Sequence, residues 1–292
     1  MAHQQDFDLA LDTSWFTKEP PAFPLPSMKA LGPCTSTYDW TWEQDPTDTT
    51  KTLICAVLWT DTKAVTKVRV TWKRSNPMGT VKAEQKHYPT PPPVSAENLD
   101  KAHKRYGENI ALWAESSVGT RVGDGECWTF VHHALADLAE SYRQYGEEPP
   151  LVSQGRTHGQ PILTLTAPSV GTNGGLLQLA DVRRGDILEL TSAHFQIITE
   201  EAPQHVPGAW GTWKKGAGEK NVRLNHHTAI VVGVKGDVVK VVEQNGCVPG
   251  GVGKTRYDLG GGGMKEGKVV VFRVIGETMG GGGRLTAKWE DE

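Results

Sequence analysis

Four prolines in a short run, Pro89, Pro91, Pro92 and Pro93, separate two stretches of chain whose apolar residues repeat with different periods. Proline fixes φ and removes a backbone donor, so neither a helix interior nor a central strand runs through such a cluster. Before it the period is two. Thr37–Trp42, Thr52–Trp59 and Val65–Trp72 alternate and are rich in aromatic and β-branched residues. They predict strands, the last two joined as a hairpin across Thr60–Lys63. After the prolines the period changes to three and four. Ser95 stands as an N-cap ahead of Leu99, Ala102, Tyr106, Ile110 and Trp113, and Trp128, Val131, Leu135, Leu138 and Tyr142 repeat the stripe in a second helix that opens near Cys127.

Beyond that helix the chain to residue 180 reads as loop, and residues 202–222 as a long loop. Short β-branched runs follow at 186–191, 194–199, 227–234, 238–243 and 268–274, with glycine runs at 260–263 and 280–283 that read as flexible linkers. Helices followed by a run of strands predict an α+β fold, a helix packed on an antiparallel sheet. Three strands are near the lower limit of independent stability. Residues 1–93, with a proline-rich start, are therefore expected to be a β-rich extension packed on a core formed by 94–275, and 276–292 a flexible tail.

Charge narrows the possible partners. Thirty-one Lys and Arg against 34 Asp and Glu give a net charge of −3, which favours neither nucleic acid nor an anionic membrane. No apolar run approaches the roughly 18 residues of a membrane span, and Met1–Asp8 has neither the basic nor the apolar part of a secretory leader. The four cysteines, Cys34, Cys55, Cys127 and Cys247, form no Cys-x-x-Cys pair, and no Asn-x-Ser/Thr occurs. A cytoplasmic chain with free thiols, no disulfide and no metal or cofactor is the expectation. His132 and His133 fall on the Cys127 helix at offsets that do not stack on that residue, so they do not suggest a metal site there.

Three segments carry chemistry together. Val122-Gly-Asp-Gly-Glu-Cys127-Trp places a thiol at a helix start after a glycine turn. The free N–H groups there favour a thiolate and can hold a developing oxyanion. His226-His227-Thr-Ala-Ile-Val-Val opens a buried strand with a base for that thiol, His227, and a surface neighbour, His226. Val241-Val-Glu243-Gln-Asn245 follows on the next strand. Residues two apart on a strand share a face, so Glu243 and Asn245 are expected to orient the imidazole together.

These motifs, with Arg183-Arg-Gly-Asp-Ile-Leu-Glu-Leu190 between them, resemble the CHAP and NlpC-type branch of the papain-like cysteine proteinase fold. The resemblance covers about residues 95–275. It implies a nucleophile helix on an antiparallel sheet, Cys127 as nucleophile, His227 as base, and Glu243 and Asn245 as orienting groups. Joined to a β-rich, proline-rich N-terminal part, the Gly-Asp-Gly-Glu-Cys-Trp segment more narrowly resembles the C-terminal cysteine-proteinase-fold domain of fungal actin-patch SH3 adaptors, the myosin tail region-interacting type. That implies a place at the cortical actin patch, with a peptide or protein as substrate or ligand.

Two departures stand out. Arg121 occupies the position, six before the thiol, where the fold often has an oxyanion-donating Gln, and Asp124 and Glu126 bring negative charge toward the sulfur. Three functions remain open: a thiol hydrolase of amide or isopeptide bonds, a non-catalytic peptide-binding domain on the same frame, and a cell-wall amidase, which the lack of a leader opposes. Lys18-x-x-Pro21-x-x-Pro24 has the form of a polyproline ligand for an SH3 domain. Gly250–Thr255 is glycine-rich but lacks the spacing of a phosphate loop.

Overall fold

The computed structural model describes residues 6–44, 46–167, 172–174, 178–198, 219–246, 250–260, 263–279 and 285–289. The chain divides into two compact units, Met1–Pro92 with Gly281–Glu292, and Pro93–Gly280. Among the described residues no helix is long and apolar enough to cross a membrane.

The first unit is a four-stranded antiparallel sheet in the order β1 (Cys34–Gln44), β2 (Thr49–Trp59), β3 (Val65–Lys73), β4 (Lys82–Tyr88). A one-turn helix α1 (Pro26–Lys29) precedes the sheet, and another, α2 (Pro77–Thr80), joins β3 to β4. The proline-rich start, in which the sequence showed no pattern, supplies the second layer. Its Trp15, Phe16, Leu25 and Met28 are buried with Leu53, Cys55, Val57 and Trp59 of β2 and Val68, Val70 and Trp72 of β3. Phe16 meets Trp72 edge-on at 4.9 Å, and the Trp15 indole donates to the Leu9 carbonyl at 2.6 Å. The first unit thus has a hydrophobic core of its own. The layer that completes it comes from a segment without periodicity.

Pro21 is buried and Pro24 half-buried in this unit, and Phe23 between them stacks on Trp15 at 5.4 Å. Lys18 is exposed, and an SH3 ligand offers its prolines to the partner, which Pro21 as placed here does not. Of the three residues of the polyproline pattern, Lys18 is thus exposed, Pro24 partly so, and Pro21 part of the fold. Residues 285–289, expected to trail as part of a flexible tail, lie against β3 and β4. The Lys67 ammonium donates to the Lys288 carbonyl at 2.9 Å, and Trp289 sits beneath the Arg69 guanidinium at 4.5 Å.

The second unit is a seven-stranded antiparallel sheet with helices on it. Ser95 caps α3 (Ala96–Ala102) through its hydroxyl, which accepts from the Asn98 amide at 3.3 Å. A wider turn, His103–Gly107, leads into α4 (Glu108–Ser116), and α5 spans Cys127–Gln144. The strands are β5 (Gln160–Ala167), β6 (Thr172–Gly174), β7 (Ile187–Ile198), β8 (Glu219–Lys235), β9 (Val238–Gln244), β10 (Val252–Asp258) and β11 (Met264–Arg273). Their order is β10-β9-β8-β7-β11-β5-β6. The helices pack toward the β10 side of the sheet: α4 and α5 both meet β8 and β9. Ile110, Ala114, Phe130, Val131 and Leu135 belong to one buried cluster with Leu188, Ala229, Val231 and Val241, which the strand register sets on one face of the sheet.

The Arg183–Ile187 segment anchors this unit. Gly185 has φ +88°, and a Cβ there would lie 2.1 Å from the Gly107 carbonyl oxygen, so the turn and the helix touch backbone to backbone. Asp186, 1% exposed, takes two hydrogen bonds from Arg273, 2% exposed, at 3.0 and 2.8 Å. A buried charge is tolerated only when paired in this way.

Candidate active site

Cys127 is the first residue of α5, and Glu126, with extended backbone, is its N-cap. The preceding turn uses glycines where the chain must take positive φ, +55° at Gly123 and +93° at Gly125. Gln244 at the end of β9 holds this turn. Its amide nitrogen donates to the Val122 carbonyl at 2.9 Å and the Glu126 carbonyl at 3.1 Å, and its oxygen accepts from the Val122 amide at 2.7 Å. The start of β10 adds a second tie, from the Gly119 amide to the Val252 carbonyl at 3.0 Å.

His227 on β8 is 3% exposed, and Glu243 on β9 is 1% exposed. The register that pairs Ala229 with Glu243 sets them side by side. His227 Nε2 meets Glu243 Oε2 at 3.0 Å. The same carboxylate accepts from the Thr255 hydroxyl and the Tyr257 hydroxyl, both at 2.7 Å, so each of its oxygens is satisfied. His227 also shares a hydrogen bond with the Cys127 thiol, and the Thr228 amide donates to the same sulfur.

The electrostatics follow from these contacts. Burial pushes the Cys127 thiol up, but the hydrogen bond to His227 and its positive charge, aided by the Thr228 amide, more than offset this and leave it below the ordinary thiol value. Burial pulls His227 down, yet its hydrogen bonds to Cys127 and Glu243 and their negative charges raise it well above the ordinary imidazole value. Glu243, though buried, is held low by His227, Tyr257 and Thr255. Each direction favours the charged form of its group: thiolate, imidazolium and carboxylate.

The expected residues fare differently. Cys127, His227 and Glu243 come together, whereas Asn245 does not join them. β9 ends at Gln244, and Asn245 is exposed in a turn at φ +58° with its side-chain oxygen accepting from the Gly250 amide at 3.2 Å. The shared-face rule holds only while the strand continues. Gly246 packs in its stead, so close that a Cβ would lie 2.9 Å from His227 Nε2. Arg121 is exposed, and its guanidinium donates to the Asp124 carbonyl of its own turn. Asp124 is turned toward the Glu126 amide and the Thr129 hydroxyl. The carboxylate that bears most on the thiol is Glu189 of β7, which accepts from Thr228 at 2.7 Å and pairs with Arg156. Nothing in the sequence pattern marked Glu189, Thr255 or Tyr257, since their roles arise from strand pairing alone. Cys34 and Cys55 are free, with values pushed up by burial, and Cys247 lies outside the described residues. Gly250–Thr255, set aside as a phosphate loop, runs into β10.

Known proteins match this chain at two levels. Altered inheritance of mitochondria protein 3 of Debaryomyces hansenii is 27% identical over 245 residues, 82% of this chain and 24% of that protein. The chain thus spans about a quarter of the length of that curated relative (24%). A solved structure titled "The crystal structure of Ly7917" is similar at a TM-score of 0.28 and 16% identity, covering 57% of this chain and 62% of that one. A likeness that low adds nothing on the fold. Residues 84–283 match the AIM3/BBC1 cysteine proteinase-fold domain, and the chain belongs to that family.

Proposed function

We propose that this domain is a thiol hydrolase of amide or isopeptide bonds, with the papain-like arrangement of the CHAP and NlpC type and α5 as its nucleophile helix. The observation that supports it best is the series from the half-buried Cys127 thiol through buried His227 to buried Glu243, with Thr255 and Tyr257 holding the carboxylate. The Cys127 thiolate attacks the substrate carbonyl, and the oxygen takes negative charge facing the backbone N–H groups at the start of α5. The His227 imidazolium gives its proton to the leaving nitrogen, the amine departs, and a thioester remains. Neutral His227 then takes a proton from water, hydroxide adds to the thioester, and the acid leaves as Cys127 is restored. Glu243 keeps the ring in one tautomer and balances its charge throughout.

The domain is read as one part of a longer cytoplasmic fungal adaptor at the cortical actin patch, with a peptide segment as substrate. Release of new amines from a mixed pool of peptide and isopeptide amides tests this reading. It should be lost in both Cys127→Ala and His227→Ala. One observation favours a second reading, a peptide-binding domain without turnover: Glu189 sets a buried negative charge against the thiolate. No amine release, together with peptide binding that survives Cys127→Ala, would favour that alternative.

A further inference from the structure

The face of the first sheet opposite its hydrophobic core carries a cationic cluster. Pairing of Lys67 with Lys86 and of Arg69 with Glu84 brings three cations and one carboxylate to one face of β3 and β4. Arg69 and Glu84 form an ion pair at 2.7 Å, and cations outnumber carboxylates three to one among these four side chains. The chain's own C-terminal segment lies on it. Trp289 has the Arg69 guanidinium 4.5 Å and the Lys86 ammonium 5.0 Å from its ring. Lys67, fully buried, donates to the Lys288 carbonyl at 2.9 Å and the Thr286 hydroxyl at 3.4 Å, and lies 5.5 Å from the Tyr88 ring.

We propose that this face is a peptide-recognition site for a tryptophan followed by acidic residues, occupied in cis by the chain's own Trp289 segment and open to a segment of the same chemistry in trans. Its contacts are those of recognition. A ring held between two cations is selected for its π face, and a backbone carbonyl taken by Lys67 fixes the path of the peptide whatever its side chains. Trp289 remains only half-buried, unlike Trp15 at 2% and Trp59 at 0% exposure in the core of the same unit. Three acidic residues, Glu290, Asp291 and Glu292, follow it in sequence, matching the positive face. The glycine run Gly280–Gly283 precedes the segment. Tethering makes the local concentration of the cis segment high, so a weak contact suffices to fill the site. An external peptide then competes when the cis anchor is weakened, when it is presented in several copies, or at saturating concentration.

The test uses the full chain and a fluorescent peptide of the sequence Leu-Thr-Ala-Lys-Trp-Glu-Asp-Glu, read by anisotropy. The peptide should bind the Trp289→Ala chain at least tenfold more tightly than the unaltered chain. Adding Arg69→Ala and Lys86→Ala to the Trp289→Ala chain should weaken that binding about tenfold, and a peptide with alanine in place of tryptophan should not bind. Equal binding to both chains, no binding to either, or indifference to the peptide's tryptophan would overturn the proposal. Hydrogen exchange on the unaltered chain gives a reading independent of any substitution. Saturating peptide should speed exchange in residues 285–289 and leave β3 protected, and unchanged exchange in 285–289 would sink it.

Discussion

A thiol and an imidazole whose proton affinities have crossed hold opposite charges over the interval between them. Below the lowered Cys127 value the sulfur takes up a proton; above the raised His227 value the ring loses its own. Alkylation needs only the thiolate, so it should rise through the lower value and then stay high. Amide cleavage also needs the ring proton for the leaving group, so its rate should fall again on the alkaline side. Iodoacetamide labelling read by mass spectrometry should find Cys127 reacting at lower pH than Cys34 or Cys55, both held up by burial. Labelling at neutral pH no faster than at Cys34 would contradict the charge state described. Glu243→Gln keeps the shape of the carboxylate but not its charge, and should slow labelling about tenfold, the effect of one pKa unit. Tyr257→Phe removes one of its hydrogen bonds and should slow it less. Cys127, His227 and Glu243 were legible because each stands at a helix start or within a strand that its own neighbours define. Thr255 and Tyr257 were not, because a glycine-rich approach hides a strand whose meaning comes only from pairing with β9.

Among the elements, the best predicted are those with an apolar stripe: β2, β3, α3 and α5 begin or end within a few residues of their expected limits. β4 was missed because Lys82-Ala-Glu-Gln-Lys-His-Tyr88 shows no apolar alternation; neighbouring β3 makes it a strand. β5 lies in the stretch expected as loop; it carries Pro161 near its start, a position a strand tolerates. The two runs at 186–191 and 194–199 belong to one strand, β7, interrupted at Ser192 with φ +48°. The contact between the β7 approach and the turn before α4 is the most sensitive joint. Gly185→Ala combines a left-handed φ with a backbone clash and should cost about 3 kcal/mol, the upper end of ordinary substitutions. Arg273→Ala leaves Asp186 buried without its cation and should cost about 3–5 kcal/mol. Urea unfolding of each variant checks both figures, and a loss below 1 kcal/mol (roughly the median for an exposed pair) would place that ion pair nearer water than its burial implies.

At the scale of the molecule, two separate cores imply two folding units. Residues 93–280 expressed alone should melt cooperatively and keep the fast thiol, as seen by circular dichroism and the same labelling. A fragment that never folds would mean that the second unit depends on the first. The order of parts along the chain has a consequence for how the protein is made. Cys127 leaves the ribosome well before His227, Glu243, Thr255 and Tyr257. Until β10 has closed on β9, nothing fixes the carboxylate that charges the ring that charges the sulfur. The nascent chain therefore carries an ordinary, sluggish thiol past every chaperone and neighbour it meets. The thiol acquires its altered proton affinity only when β10, the last strand but one along the chain, has paired with β9, so a fast thiol reports that this part of the sheet has formed.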